Sequence, residues 1–178
     1  MDFRFIPYTQ INGAWTLPDS IIGDMWDEIV NKRIVNKLFY GGTVTSVDQF
    51  IAAMKSPANI VHTVWGEDGM PYVLAWLNSY LRNHAYGHFT YFPRALGHKT
   101  SLDLGKKVID YWFGIELDGK PALDVILGKT PDNNRLALNI LKKLGFTILG
   151  TIPKIYYVAN ENKMVGATFS YLERQNGK

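Results

Sequence analysis

The residues able to do chemistry fall in three places. The run Tyr91, Phe92, Pro93, Arg94, Ala95, Leu96, Gly97, His98, Lys99, Thr100 and Ser101 joins an apolar stretch to an amphipathic one. A strand–loop–helix junction of this kind directs several free backbone N–H groups at one spot where the helix dipole is positive, which suits phosphate. Gly97 lets the backbone come close to a ligand. His98 and Lys99 add cationic character, and Thr100 and Ser101 add hydroxyl donors. A first-turn lysine is unfavourable to the dipole unless it is solvated, so Lys99 fits an anionic ligand. The second place is Asn134, where an amphipathic helix opens and a simple cap is the plainest role. The third is a pair of candidate bases, His88 and Asp124, on successive strands. His88 could relay a proton near neutral pH, and a histidine hydrogen-bonded within its sheet is the plainer alternative. Asp124 is the second candidate, with burial beside a helix end as its alternative. His84 and His88 are four apart on a strand with no carboxylate nearby, so no metal site is expected.

Elements that must position these groups can be read from periodicity. Phe3 to Pro7 reads as a strand, and Leu17, Pro18, Asp19 and Ser20 as a helix start. Ile22, Met25, Trp26, Ile29 and Val30 then give one apolar helical face. Gly41 and Gly42 end the connection. Ser46, Val47, Asp48 and Gln49 have the form of a capping box for a second short helix that stops before Pro57. Ile60 to Trp65, Tyr72 to Tyr80 and Ala85 to Phe92 form a meander, turned at Glu67-Asp68-Gly69 and at Arg82-Asn83-His84. Pro93 ends it, having no N–H for the ladder. Ser101 to Phe113 reads as a helix and Leu123 to Leu127 as a buried strand. A further helix runs from Pro131-Asp132-Asn133-Asn134 through Leu144, with Gly145 as its C-terminal cap. Phe146 to Val158, bent at Pro153, and Met164 to Leu172 are the final strands. The order is β-α-α-β-β-β-α-β-α-β-β, an α/β class with a mixed sheet, and residues 1–178 show no dividing linker.

With 178 residues, the chain fits one domain of ordinary globular composition, 47% apolar and 20% charged. It holds no cysteine, which excludes disulfides, thiolate metal sites and a cysteine nucleophile. The net charge of +3 is spread over single and paired residues such as Lys32-Arg33, Lys106-Lys107 and Lys142-Lys143. A nucleic-acid binder would concentrate them on one stripe, so solvated helix faces are the expected reading. The opening residues lack a cationic segment followed by an apolar run, and no stretch approaches the apolar length of a membrane span. A cytoplasmic protein is the expectation.

The order of elements over the whole chain resembles the GNAT superfamily of N-acetyltransferases, and two segments carry the resemblance. The segment Asn134 to Phe146, with Ala137 three residues after the Asn, Leu144-Gly145-Phe146 at its end and Gly150 beyond, is similar to the family's second acetyl-CoA segment. Tyr91 to Ser101 resembles the family's pyrophosphate loop, in either of two registers. In one, Arg94 and Gly97 match and Lys99 replaces a small residue. In the other, Pro93 and Gly97 align with the common Pro and Gly, and Leu96, Lys99 and Ser101 take the motif positions. The second is preferred, because it agrees with a helix cap at Thr100 or Ser101.

The resemblance implies acetyl-CoA as acyl donor and an amine acceptor, with direct transfer in a ternary complex and no metal. It implies a β-bulge before the loop, whose backbone N–H groups at Thr90, Tyr91 and Phe92 would meet the thioester and pantetheine. It places Asn134 near the pantetheine arm or the acceptor. Many relatives carry a Tyr seven residues after that Asn as the acid for the leaving thiolate; here the position is Leu141. Relatives also often keep a carboxylate in the strand from Ala85 to Phe92, and this chain has none. Leu38, Phe39, Tyr40, Tyr156 and Tyr157 are candidates for lining the acceptor pocket, shaped by the Arg33–Thr45 loop and the final hairpin. Three readings follow: an acetyltransferase, a GNAT scaffold that has lost catalysis and serves binding or assembly, and an RNA binder resting on charge and aromatics alone. The acceptor's identity and the oligomeric state, a homodimer included, stay open.

Overall fold

The computed structural model describes residues 2–175, with the backbone alone at His98 and Lys99. The elements are β1 (Arg4–Tyr8), a small hairpin of β2 (Gln10–Ile11) and β3 (Ala14–Trp15), α1 (Asp19–Asn31), α2 (Val35–Leu38), α3 (Val47–Lys55), β4 (Asn59–Trp65), β5 (Pro71–Leu81), β6 (His84–Tyr91), α4 (His98–Phe113), a second small hairpin of β7 (Glu116–Leu117) and β8 (Lys120–Pro121), β9 (Val125–Pro131), α5 (Arg135–Lys143), β10 (Thr147–Val158) and β11 (Lys163–Glu173). A seven-stranded sheet runs β1-β4-β5-β6-β9-β11-β10. All its pairings are antiparallel except β6 with β9. This is the mixed sheet that the alternation of elements predicts. Among the described residues no helix is long and apolar enough to cross a membrane.

Each face of the sheet is covered by helices. Along β5, Val73, Ala75 and Leu77 point to one face, where Leu104, Val108 and Trp112 of α4 and Leu141 pack. Leu74 and Trp76 point to the other, against Ile22, Met25, Trp26 and Ile29 of α1 and Phe50 and Met54 of α3. Both sets follow from the periods of strand and helix. The capping box of α3 forms in a shifted version. Ser46 Oγ accepts from the Gln49 amide at 3.3 Å, and Gln49 Oε1 accepts from the amide of Thr45, one residue before the cap, at 2.8 Å.

Several boundaries differ from expectation. The fourth helix begins at His98 with Gly97 as its N-cap residue, not at Thr100 or Ser101. The buried strand expected over Leu123–Leu127 lies at Val125–Pro131, with Leu123 packed in the core ahead of it. Both small hairpins turn on dipeptides with positive φ, Asn12-Gly13 and Asp118-Gly119, a turn chemistry that two-stranded ribbons favour. Near Pro153 the β10–β11 register shifts between Ile152 and Tyr156, and Lys154 takes φ 54°. That bend carries Tyr156 over the sheet.

Candidate functional site

The sheet comes apart at one seam. β6 and β9 pair over only three positions, His84 with Val125, Ala85 with Ile126 and Tyr86 with Leu127. Beyond them β6 continues to Tyr91 and β9 to Pro131, each still paired on its outer side: β6 with β5 as far as Tyr91, β9 with β11 as far as Pro131. The inner edges therefore face each other without a shared ladder. The first unpaired step has glycine on both strands, Gly87 and Gly128. A Cβ at Gly87 would lie 2.9 Å from Ile126 Cγ2 and 3.0 Å from the Trp112 ring, and one at Gly128 would fall against Ser170 Oγ. Both glycines are thus required by close packing on the α4 face. The Phe92 amide donates to Tyr72 O on the β5 side at 2.9 Å. Strand alternation then turns the amides of His88 and Thr90 to β5, and those of Phe89 and Tyr91 to the seam.

The open end of the seam leads to α4. Gly97 is extended (φ 172°, ψ 133°), and the first intrahelical bond runs from the Ser101 amide to Gly97 O at 2.9 Å. By helix geometry the amides of residues 98, 99 and 100 have no carbonyl to bond within α4. Beside them a groove of about 300 Å³ runs between α4 and α5, lined by Gly97, Ser101, Leu102, Leu136, Asn139, Ile140 and Lys143. Ser101 Oγ bonds back to Gly97 O at 2.9 Å, and Thr100 is half-buried. The side chains of His98 and Lys99 lie outside the described residues. Arg94 is tied away from the groove, with its guanidinium bonded to Pro71 O and, at 3.0 Å, to Glu28 Oε1.

On the opposite face, aromatic rings line the seam. His88 stacks on Trp76 at 5.0 Å and 8°, and Phe39 stacks on Trp76 at 6.2 Å and 13°. The next residue, Tyr40, packs on Tyr156 at 5.6 Å, so the Phe39–Tyr40 step reaches from β5 to β10 and roofs the seam. Asn134 locks this roof to α5. Its Nδ2 donates to Tyr40 Oη at 2.6 Å, and its Oδ1 accepts from the Ala137 amide at 3.2 Å, capping the helix. Lys129, the register partner of His88 across the seam, sets its Nζ 4.7 Å from the Tyr156 ring and 5.9 Å from that of Phe169. Desolvation lowers the His88 pKa to about 4, so the ring is neutral at pH 7. Its Nε2 is buried without a hydrogen-bond partner, in a residue that is half-buried as a whole. Burial and the neighbouring Tyr86 raise the pKa of Tyr156, and burial raises that of Tyr40 against the opposing bond from Asn134.

No family model matches the chain, and no curated protein does. Solved structures do. Spermidine N-acetyltransferase from Vibrio cholerae, in complex with CoA and spermine, superposes with a TM-score of 0.69 at 15% identity over 95% of each chain. Ribosomal-protein-S5-alanine acetyltransferase from Vibrio fischeri gives 0.67 at 11% identity, covering 91% of this chain and 92% of that one. The yncA protein of Salmonella typhimurium, with its cofactor acetyl-CoA, gives 0.67 at 14% identity over 100% and 96%. The chain has the GNAT fold.

On that fold the sequence-predicted residues divide. Thr90, Tyr91, Phe92, Gly97, Thr100 and Ser101 follow one another along β6 and into α4, and Asn134 stands across the open end. The Phe92 amide is committed to Tyr72 and the Thr90 amide faces β5, while Tyr91 faces the seam. The expected bulge is missing: the β5–β6 register runs unbroken from Asn78–Tyr86 to Val73–Tyr91, and the opening comes from divergence of two regular strands. His88 is at the seam. Asp124 is not; it precedes β9 at the closed end, half-exposed, accepting from Asn83 Nδ2 at 2.7 Å with Arg174 Nε 4.0 Å away. Leu141 is buried 3.7 Å from the Cβ position of Gly128, an apolar group beside the point of parting. Phe39, Tyr40 and Tyr156 line the roof and wall; Leu38 is half-buried, and Tyr157 turns outward to Asn162. Among the described residues no three His, Asp or Glu side chains gather as a metal site. Lys129, Phe89 and the Gly87–Gly128 pair escaped the sequence reading. Glycine inside a strand pattern was the available signal for Gly87; Gly128 fell just past the expected strand Leu123–Leu127, which the structure extends to Pro131.

Proposed function

We propose that residues 1–178 work as one N-acetyltransferase domain, moving an acetyl group from acetyl-CoA to a primary amine within a ternary complex. The observation that carries the reading is the seam: two parallel strands that part at a glycine pair and open onto an uncapped helix N-terminus. Its inner edges suit a thin amide-bearing arm, which would complete the ladder at Phe89 and Tyr91. The amides of residues 98–100 and the groove beside them suit the phosphates that follow such an arm. When bound, acetyl-CoA supplies an acyl group on a thioester.

The amine nitrogen attacks the thioester carbonyl, the C–S bond breaks, and the nitrogen gives up its proton. Seam amides of β6 hold the developing oxyanion. His88, neutral at pH 7 with Nε2 unpartnered, accepts a hydrogen bond from the amine N–H and orients its lone pair. With its low proton affinity, it takes the released proton only in passing to water. The thiolate leaves toward Leu141, which offers no proton. A thiol with pKa near 8.5 departs without an acid, taking its proton from solvent.

Leu141 also favours a second reading, a scaffold that binds CoA without turnover. Calorimetry with acetyl-CoA and a thiol-release assay on a broad amine panel separate the two. Acetyl-CoA binding with thiol release is expected. Binding alone means the scaffold, and no binding removes both. We place the protein in the cytoplasm by the same reading.

A further inference from the structure

We propose that the acceptor is an amine whose molecule also carries an oxyanion, a carboxylate or phosphate, and that Lys129 holds that anion. The inference rests on the acetyl-transfer reading and names its substrate class. Lys129 sits on the seam itself, opposite His88 in the continued register and on the face roofed by Phe39 and Tyr40. Its Nζ is held by Tyr156 and Phe169, which fix a cation on the β11–β10 side of β9, one strand from the seam. Among the described residues it forms no salt bridge with a carboxylate.

Negative charge is sparse around it: β11, which carries Phe169, has one carboxylate on this face, Glu173, and that lies at the closed end opposite Val125. The segments that frame this face, 31–45, 84–92, 125–131 and 147–158, contain Lys32, Arg33, Lys37, Lys129 and Lys154 and not one Asp or Glu. Asp132, just past β9, lies over Gly166 and Thr151, on the α5 face rather than that of Lys129. Glu28 of α1 is held by Arg94. A polycation entering here would meet fixed positive charge with little to offset it. An amine bearing an anion would complete a charge-assisted pair with Lys129 in a partly desolvated site. Its nitrogen would then fall across the seam, toward the unpartnered His88 Nε2. The cation at Lys129 also disfavours the protonated amine, which helps an acceptor that must react as the free base.

Matched acceptors test this: 4-aminobutyrate against 1,4-diaminobutane, and O-phosphoethanolamine against ethanolamine. Binding is read by calorimetry on the CoA-saturated protein, and transfer by thiol release. The anionic member of each pair is expected to win by about tenfold or more, and Lys129→Glu to reverse the order. Lys129→Met, which keeps the stem over the rings, should remove the preference while leaving CoA affinity within about twofold, the check that the fold is intact. Preference for the cationic members, no binding by any of the four, or a preference that survives Lys129→Glu overturns the assignment. Anion-dependent binding without thiol release leaves it standing and removes the transfer reading. Thiol release without preference does the reverse.

Discussion

The two sides of β6 are built from one strand and end differently. Toward β5, six consecutive register pairs run from Tyr86 to Tyr91 without a break. Toward β9, pairing stops after Tyr86. The backbone of β6 is regular on both sides, so the difference lies in its neighbours. β5 joins β6 through a short turn at Arg82 and Asn83, which holds the two antiparallel strands together. β9 returns only after the whole of α4, as parallel pairing requires, and nothing local holds its far half to β6. Trp112, Ile126 and Ser170 crowd the glycine pair from the α4 face, and the Phe39–Tyr40 roof spans the other. The opening is therefore wedged from both faces, and the ladder groups that it leaves unspent are what a ligand would use.

The largest expected effect closes the mouth of that opening. Gly97 has an extended backbone that any residue can adopt, and a Cβ there meets only Thr100 Oγ1 at 3.8 Å. Gly97→Asp therefore folds, and its carboxylate caps the amides of residues 99 and 100. The cap should raise stability slightly, by about 0.3 kcal/mol, seen as a melting temperature that does not fall. The same carboxylate occupies and repels the phosphate position, so acetyl-CoA affinity should fall by about 100-fold in calorimetry. Stability held while affinity falls is the signature; unchanged affinity would place the phosphates elsewhere.

A middle-sized effect sharpens the contrast between the faces. His62 and His88 both have pKa values lowered to about 4 by desolvation, from an ordinary 6.5. His62 is 4% exposed and packs edge-on to Tyr111 at 4.9 Å, on the α4 face. For each, the unfolded chain binds a proton that the folded chain refuses. Stability is thus constant above pH 6.5 and falls as pH drops from there toward 4. With the same shift, each contributes a slope that approaches about 1.4 kcal/mol per pH unit between those values. Thermal melts of His62→Gln should lose about half of this acid sensitivity between pH 6.5 and 4.5, the rest staying with His88. An unaltered slope would mean that His62 takes up its proton in the folded state.

What was legible in the chain follows the same division. Ser46 with Gln49, the α1 spacing and the Asp68-Gly69 turn are local signals, and each produced its element. The seam is not local. Divergence of β6 from β9 is set by α4 packing some twenty residues away, so it left only Gly87 and Gly128 as traces. Residues 98–100 form the first turn of α4, with Gly97 at the N-cap position and no side-chain cap, and the more familiar sequence signal of a hydroxyl cap at Thr100 or Ser101 pointed three or four residues too far. Lys129 is invisible in sequence for a different reason. A lone lysine in an apolar strand reads as a solvated edge, and only the bend near Pro153 brings Tyr156 over it.

The smallest effect belongs to the closed end. Asp124 immediately precedes β9, the strand that carries Lys129, ahead of the paired positions, and there Asn83 and Arg174 engage it. Were it a base, its removal would cost orders of magnitude in rate. Because it only fastens a turn to the start of β9, Asp124→Asn should leave kcat and its pH profile within about twofold and cost under about 1 kcal/mol in urea unfolding. A large loss of kcat with unchanged stability would require acceptor chemistry at the zipped end of the seam. The three pairs from His84 to Tyr86 would then have to open during turnover, which hydrogen exchange at those amides would register.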